Sequence, residues 1–290
     1  MERVSFHDQI SKNKWKSFFL MAIIFAVIVL LGYLISFAFD PTLFFAIMSI
    51  SVLFSIGYLL FSYYNSGRIA IASVGAKEAS RIHHKQFYDL IEGLTIASGL
   101  PMPKLYIMNS PQINAFASGR NPENAVVCVT IGTLEKLDKK ELEGVLAHEL
   151  SHVANYDIRY MTLVAVMVGM IAIASEIFLR SLWFHGGEKD NKNVVLIIVG
   201  IALAILAPIV VQLVQMAISR KREFMADASG VKFTRYPQGL IGALKKIQKE
   251  SYVEKKVSRA VAQLFLSNPF KNMGSTHPPL EERIKILEKM

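Results

Sequence analysis

The sequence predicts a mostly α protein with a small β-sheet, held in a membrane by several hydrophobic helices. Three observations carry this. Four long apolar stretches punctuate the chain, short valine-rich strand candidates lie between the second and third, and a well-capped helix contains the run His148-Glu149-Leu150-Ser151-His152. Of the 290 residues 52% are hydrophobic, and with a positive mean hydropathy that is high for a soluble domain.

Ser17 to Phe39 is almost uninterrupted apolar sequence, long enough to cross a bilayer core as helix. Asp40-Pro41 makes a turn, and Thr42 to Tyr64 supplies a second span. A cleaved signal peptide is a poor account of the first stretch. It is too long, lacks a small-residue cleavage site and is followed at once by another span. Lys12, Lys14 and Lys16 precede it, whereas the connecting turn carries only Asp40. Positive charge favours the cytoplasm, so the N-terminus and the segment after span two are expected there.

The formal net charge of +9 raises the question of nucleic acid. The basic residues, however, gather beside hydrophobic spans (Lys12, Lys14 and Lys16; Arg220, Lys221 and Arg222) rather than forming a stripe with aromatics. That distribution suits the anionic headgroups of a lipid bilayer and argues against a nucleic-acid partner.

From Asn65 to about Asp157 the composition is mixed. Lys85 to Ala97 reads as an amphipathic helix ended by Gly99, with Pro101 and Pro103 beyond. Lys104 to Met108, Ile113 to Ala117 and Ala125 to Ile131 are strand candidates, expected to form a small sheet against the following helix. The second of these is either an ordinary hairpin strand or an edge that receives an extended peptide. Cys128, the only cysteine, excludes a disulfide framework and reads as a buried structural thiol. His7, His83, His84 and His185 read as surface residues, since neighbouring side chains face different ways.

Residues 161–184 and 194–218 are two further apolar segments joined by the polar turn Gly186 to Asn191. The fourth makes a convincing span, with Pro208, Gln212 and Gln215 near its end. Glu176 and Arg180 interrupt the third; four apart on a helix, they read as an ion pair near the outer interface. An alternative is that both segments cover the site below without crossing fully. Beyond them, Leu240 to Lys249 and Ser258 to Leu266 are amphipathic, and Pro279 to Met290 closes the chain.

The chemistry gathers on the helix after Asp138. An Asp cap with Glu141 three places on is a capping-box start, and Leu142, Val145, Leu146, Leu150 and Val153 give an apolar stripe at helical spacing. Positions four apart share a face, so His148 and His152 can reach one zinc ion, with Glu149 turned far enough round to act as general base on the attacking water. A pair of buried structural histidines is the plainer alternative. An open catalytic zinc site needs a third protein ligand. Glu223 is the candidate, and Asp227, four residues on, can hold the outer nitrogen of a ligand histidine. Otherwise Glu223 belongs to a solvated, charge-rich helix face and pairs with Arg220 or Lys221.

Several motifs in one order now resemble a known family. Two N-terminal spans, Asn114-Ala115-Phe116-Ala117-Ser118-Gly119, His148 to His152 followed by Asp157, Arg222-Glu223-Phe224 to Ala226-Asp227, and Ser275-Thr276-His277-Pro278-Pro279 together resemble the HtpX family of membrane zinc metalloproteases, relatives of the CAAX prenyl proteases. The resemblance implies one zinc ion per chain on His148, His152 and Glu223, catalysis by Glu149, and His277 close to the site as a stabiliser of the transition state. It also implies a zincin-like metalloprotease domain on the cytoplasmic side of the cell membrane. Its substrates would be polypeptides, membrane or misfolded proteins, in quality control and the stress response.

The expected organisation is an N-terminal membrane hairpin (1–64), a zinc-helix half of the protease domain (65–160), a second hydrophobic pair (161–218) and a C-terminal half with the third ligand (219–290). A transporter would predict repeated halves and polar residues at mid-membrane, both nearly absent here. A metal-keeping scaffold without catalysis would leave Glu149 superfluous.

Overall fold

The computed structural model describes residues 6–36, 41–165, 200, 220–250, 266 and 278–290. Helix α1 (Phe6–Ser36) and helix α2 (Phe44–Tyr64), the latter preceded by a single 3-10 turn at Pro41–Leu43, pack against each other. α1 begins well before the expected Ser17. The lysines at its start are polar but good helix formers, so the helix runs through them instead of starting after them. Windows of 18 and 21 residues, Asn13–Leu30 and Phe44–Tyr64, are long and apolar enough to cross a bilayer. Phe45, Ile50, Leu53, Phe54 and Phe61 on α2 all point outwards and exposed, as lipid-facing residues would. Tyr160, Leu163 and Val164 meet Leu20, Ile24 and Ile28 of α1, so the helical stretch 157–165 docks on this helix pair. Apart from residue 200, the remainder of the third and fourth apolar segments, with Glu176, Arg180, Pro208, Gln212 and Gln215, lies outside the described residues.

After α2 come helix α3 (Ser66–Ser73), a short strand β1 (Lys77–Glu78) and helix α4 (Lys85–Ser98). Gly99, at φ 72°, ends α4 in the left-handed conformation that glycine adopts without strain. Strands β2 (Lys104–Met108), β3 (Ala115–Ser118) and β4 (Val126–Thr130) complete a mixed sheet of order β1-β2-β4-β3. β2 and β4 are parallel, and the other pairs are antiparallel. The second strand candidate therefore starts two residues later than expected and lies at an edge.

Both faces of the sheet are covered, which explains why β4 is buried throughout and apolar from Val126 to Val129. Val127 and Val129 face α4 and the core, while Val126 and Cys128 pack with Phe116, Ala70, Ile71, Met161 and Ala165. Cys128 is buried, and burial pushes its thiol pKa up, as expected of a structural thiol.

Helix α5 (Ile131–Lys136) leads into helix α6 (Lys139–Ala154), the centre of the domain. Both halves of its capping box form: Asp138 accepts from the Lys140 and Glu141 amides at 2.8 and 2.9 Å, and Glu141 accepts from the Asp138 amide at 2.8 Å. The stripe Leu142, Val145, Leu146, Leu150 and Val153 is fully buried. Helices α7 (Arg220–Thr234) and α8 (Pro237–Lys249) pack on α6, and helix α9 (Leu280–Leu287) closes against α7 and α8. Of the expected helix from Ser258 to Leu266, only Leu266 is among the described residues.

Close approach of backbones sets the spacing of this bundle. A Cβ on Gly144 of α6 would lie 2.5 Å from the Leu240 amide nitrogen on α8. Gly144→Ala therefore forces α6 and α8 apart, and an overpacking loss of about 1–3 kcal/mol is expected. Denaturant unfolding of the two proteins in detergent checks this; equal midpoints would contradict the packing described.

Candidate metal centre

Three helices and one turn deliver the polar cluster. α6 carries His148, Glu149 and His152, α7 carries Glu223 and Asp227, and α9 carries Arg283. At the end of α6, Tyr156 adopts φ 58°, a left-handed conformation uncommon outside glycine. This turns the chain so that Asp157 comes back to His152. All seven of these polar side chains are buried, and His148, Arg283 and Asp157 are fully so.

The two imidazole Nε2 atoms stand 3.3 Å apart with their rings nearly perpendicular. Glu223 Oε2 is 3.7 Å from His148 Nε2, and Oε1 is 3.8 Å from His152 Nε2. Each outer nitrogen meets a carboxylate: His148 Nδ1 lies 2.9 Å from Asp227 Oδ1, and His152 Nδ1 lies 3.1 Å from Asp157 Oδ2. A ring whose Nδ1–H donates to a carboxylate turns the lone pair of Nε2 inwards. Two such lone pairs and a carboxylate, facing one another at this range, repel unless a proton or a cation lies between them. Ligands about 2.0–2.1 Å from a tetrahedral zinc ion would stand about 3.3 Å apart, so the set needs only a few tenths of an ångström of adjustment.

The charge balance agrees. Among the described residues, Glu149, Glu223, Asp227 and Asp157 face the guanidiniums of Arg283 and Arg222. Once a cation has displaced the His152 proton and all four acids are ionised, an excess of two negative charges remains for that divalent cation to cancel. Arg283 grips Asp227 as a fork, Nη2 to Oδ1 at 2.6 Å and Nε to Oδ2 at 2.9 Å, and its Nη1 lies 3.6 Å from Glu223 Oε2. Arg222 Nε is 3.9 Å from Asp157 Oδ1.

Proton affinities follow from this burial. Loss of water pushes the Glu149 carboxyl up to about 7, helped by the charge of Glu223 and opposed by His152 and by a hydrogen bond from the Ala117 amide of β3. Burial also lowers His148, with the Arg283 charge acting the same way against Asp227. For His152 burial acts downwards too, but the Asp157 hydrogen bond and the charges of Glu223, Asp157 and Glu149 outweigh it and raise the ring to about 9. Asp227 is held low despite its burial, because Arg283 and His148 favour the carboxylate.

The structure thus brings together His148, Glu149, His152 and Glu223, and puts Asp227 on His148. Glu223 is buried, not part of a solvated face. His277 and His185 lie outside the described residues. Sequence reasoning missed Arg283, which in Leu280-Glu281-Glu282-Arg283 reads as one more charge on a surface helix. Its period against Ile284 and Leu287, both buried, was the available signal. Asn13, which donates to Asp157 at 2.7 Å, was also missed. Its place among lysines at the head of a membrane span concealed it.

Known proteins resemble this chain in sequence and in fold. The model of Peptidase family M48 matches residues 81–290. Protease HtpX homolog of Dictyoglomus thermophilum is 40% identical over 294 residues, covering 100% of this chain and 96% of that protein. The protein of the same description from Caldanaerobacter subterraneus subsp. tengcongensis is 43% identical over 247 residues, 82% of this chain and 83% of that one. Among solved structures, the crystal structure of S. mikatae Ste24p is similar in fold, with a TM-score of 0.54 at 20% identity. The match covers 97% of this chain and 66% of that one.

Two outcomes are expected of this site. Without a metal, His152 keeps its proton up to about pH 9, so a cation must displace it. Metal affinity should fall as pH drops below that value, by about tenfold per unit for one proton displaced. Chelator competition between about pH 7 and 9 reads this, and a flat profile would contradict it. Arg283→Met strips Asp227 of its fork, and a loss of about 3–5 kcal/mol in unfolding free energy is expected for a broken buried ion pair. An unchanged unfolding midpoint would show that the pair contributes nothing.

Proposed function

Because this chain belongs to peptidase family M48, as a metalloprotease of the HtpX group, we propose that it is a zinc-dependent endopeptidase cleaving membrane or misfolded proteins at the cytoplasmic face of the cell membrane. The observation that carries this reading is the convergence of two Nε2 atoms and one carboxylate, each ring backed by an aspartate. In it, His148, His152 and Glu223 hold the zinc ion, which when bound supplies Lewis acidity towards water and the scissile carbonyl.

The rest is the work of the chain. Glu149 takes a proton from the attacking water and returns it to the departing amine, and a carboxyl with pKa near 7 suits both transfers at neutral pH. The Ala117 amide fixes Glu149 beside the edge strand β3, so a peptide laid along that edge has its carbonyl near the base. The edge is engaged at rest, since Ala115 O accepts from the Leu266 amide at 2.8 Å. An incoming peptide exchanges with that bond. His277 as a helper at the oxyanion rests on family resemblance.

Sidedness rests on Lys12, Lys14 and Lys16 at the head of the first span against Asp40 in the turn, which favour a cytoplasmic N-terminus. Asn13 opens the first membrane window and bonds Asp157, which supports a site at the bilayer boundary. In this reading 65–160 and 219–290 form the two halves of the protease, and 1–64 and 161–218 form a multi-pass anchor. A role in quality control under stress rests on family resemblance.

The test is Glu149→Gln with and without a chelator. The variant should keep about one zinc per chain and lose cleavage of an unfolded membrane protein by at least about 10²-fold, the scale of a lost general base. Chelation should abolish cleavage by the unsubstituted protein and zinc should restore it. Retained proteolysis in the variant would refute this mechanism.

A further inference from the structure

We propose that Asn13, on the first membrane helix, is a positioning residue for the zinc site: its amide holds Asp157 so that Asp157 orients His152. The inference rests on the function proposed above. Asn13 lies far outside residues 81–290, the part of the chain that matches the family model.

Asn13 is 4% exposed, and its Nδ2 donates to Asp157 Oδ1 at 2.7 Å and to the Asn155 carbonyl at 3.0 Å. The other oxygen of Asp157, Oδ2, meets His152 Nδ1 at 3.1 Å. The two oxygens of one buried carboxylate therefore have separate partners, one on the membrane helix and one on the ring. Lys14, the next residue, lies over the Tyr156 ring at 4.6 Å from its centroid. Two consecutive side chains of α1 thus clamp the left-handed turn between His152 and Asp157.

Geometry says what removal of the amide does. Besides Asn13, Arg222 Nε lies near Oδ1 at 3.9 Å, beyond hydrogen-bond reach. A carboxylate released from Asn13 gains by turning towards that guanidinium, which draws Oδ2 off His152 and loosens the ring. An NH2 group with two donors suits two acceptors here, one a carboxylate and one a carbonyl. A plain packing role for Asn13 predicts instead that any damage to the docking of α1 has the same effect.

The experiment compares full-length protein in detergent, unsubstituted and as Asn13→Ala, Asn13→Leu and Leu20→Ala. Asn13→Leu keeps the volume without the donors. Leu20→Ala weakens the contact of α1 with Tyr160, Leu163 and Val164 without touching Asp157. Release of zinc to an excess of a colorimetric chelator is followed, with thermal unfolding alongside. Both Asn13 variants should release zinc about 10–100-fold faster, as expected when the partner of a ligand histidine is disturbed. Leu20→Ala should lower Tm yet release zinc within about twofold of the unsubstituted rate, far inside that range. Unsubstituted rates in both Asn13 variants, or equal acceleration by Leu20→Ala, overturn the inference and leave the protease reading standing. Absence of bound zinc in the unsubstituted protein overturns both.

Discussion

Two imidazoles presenting nitrogen lone pairs to one another across 3.3 Å is the arrangement on which the rest of this fold depends. Without a proton or a cation between them it is repulsive, and so is the gathering of four acidic side chains around it. The surrounding structure is largely a set of answers to that repulsion. Asp227 and Asp157 fix each ring from behind, Arg283 and Arg222 supply counter-charge, and the proposed cation takes the centre. Burial makes every one of these interactions stronger than it would be in water. It also makes each missing partner more costly.

Assembly of the site is long-range in the chain. Residues near 13, 150, 225 and 283 meet within one cluster, and only α6 supplies more than one proposed zinc ligand. The sheet and α4 form a rigid backing for α6, with Leu146, Leu150 and Val129 at its core. On the opposite side α7 lies so near that a Cβ on Gly230 would come within 3.1 Å of the His148 amide nitrogen. That closeness allows a carboxylate from α7 to reach rings on α6.

The pattern of what the residues disclosed beforehand has a physical basis. Local features were legible: the capping box at Asp138, the apolar stripe of α6, the glycine stop at Gly99, and the four-residue spacings of His148 with His152 and Glu223 with Asp227. Each depends on helix geometry within one segment. Arg283 and Asn13 were not legible, because their meaning lies in partners 56 and 144 positions away. A buried arginine and a surface arginine look alike in a short amphipathic helix. The early start of α1 escaped for a related reason: polar composition marks where a membrane ends, not where a helix does. The short strand β1 and the six-residue α5 are held by neighbours more than by propensity.

The bond between the Leu266 amide and Ala115 O has a kinetic meaning for a protease of this design. An intramolecular occupant competes with any incoming strand without a second association step. A dilute, folded protein offers no extended backbone to compete with it. On the function proposed above, a loosened chain confined to the same bilayer would, because confinement raises its local abundance and disorder exposes its amides. Selectivity would then come from availability of the polypeptide more than from its side chains, a form of discrimination suited to damaged clients of many sequences.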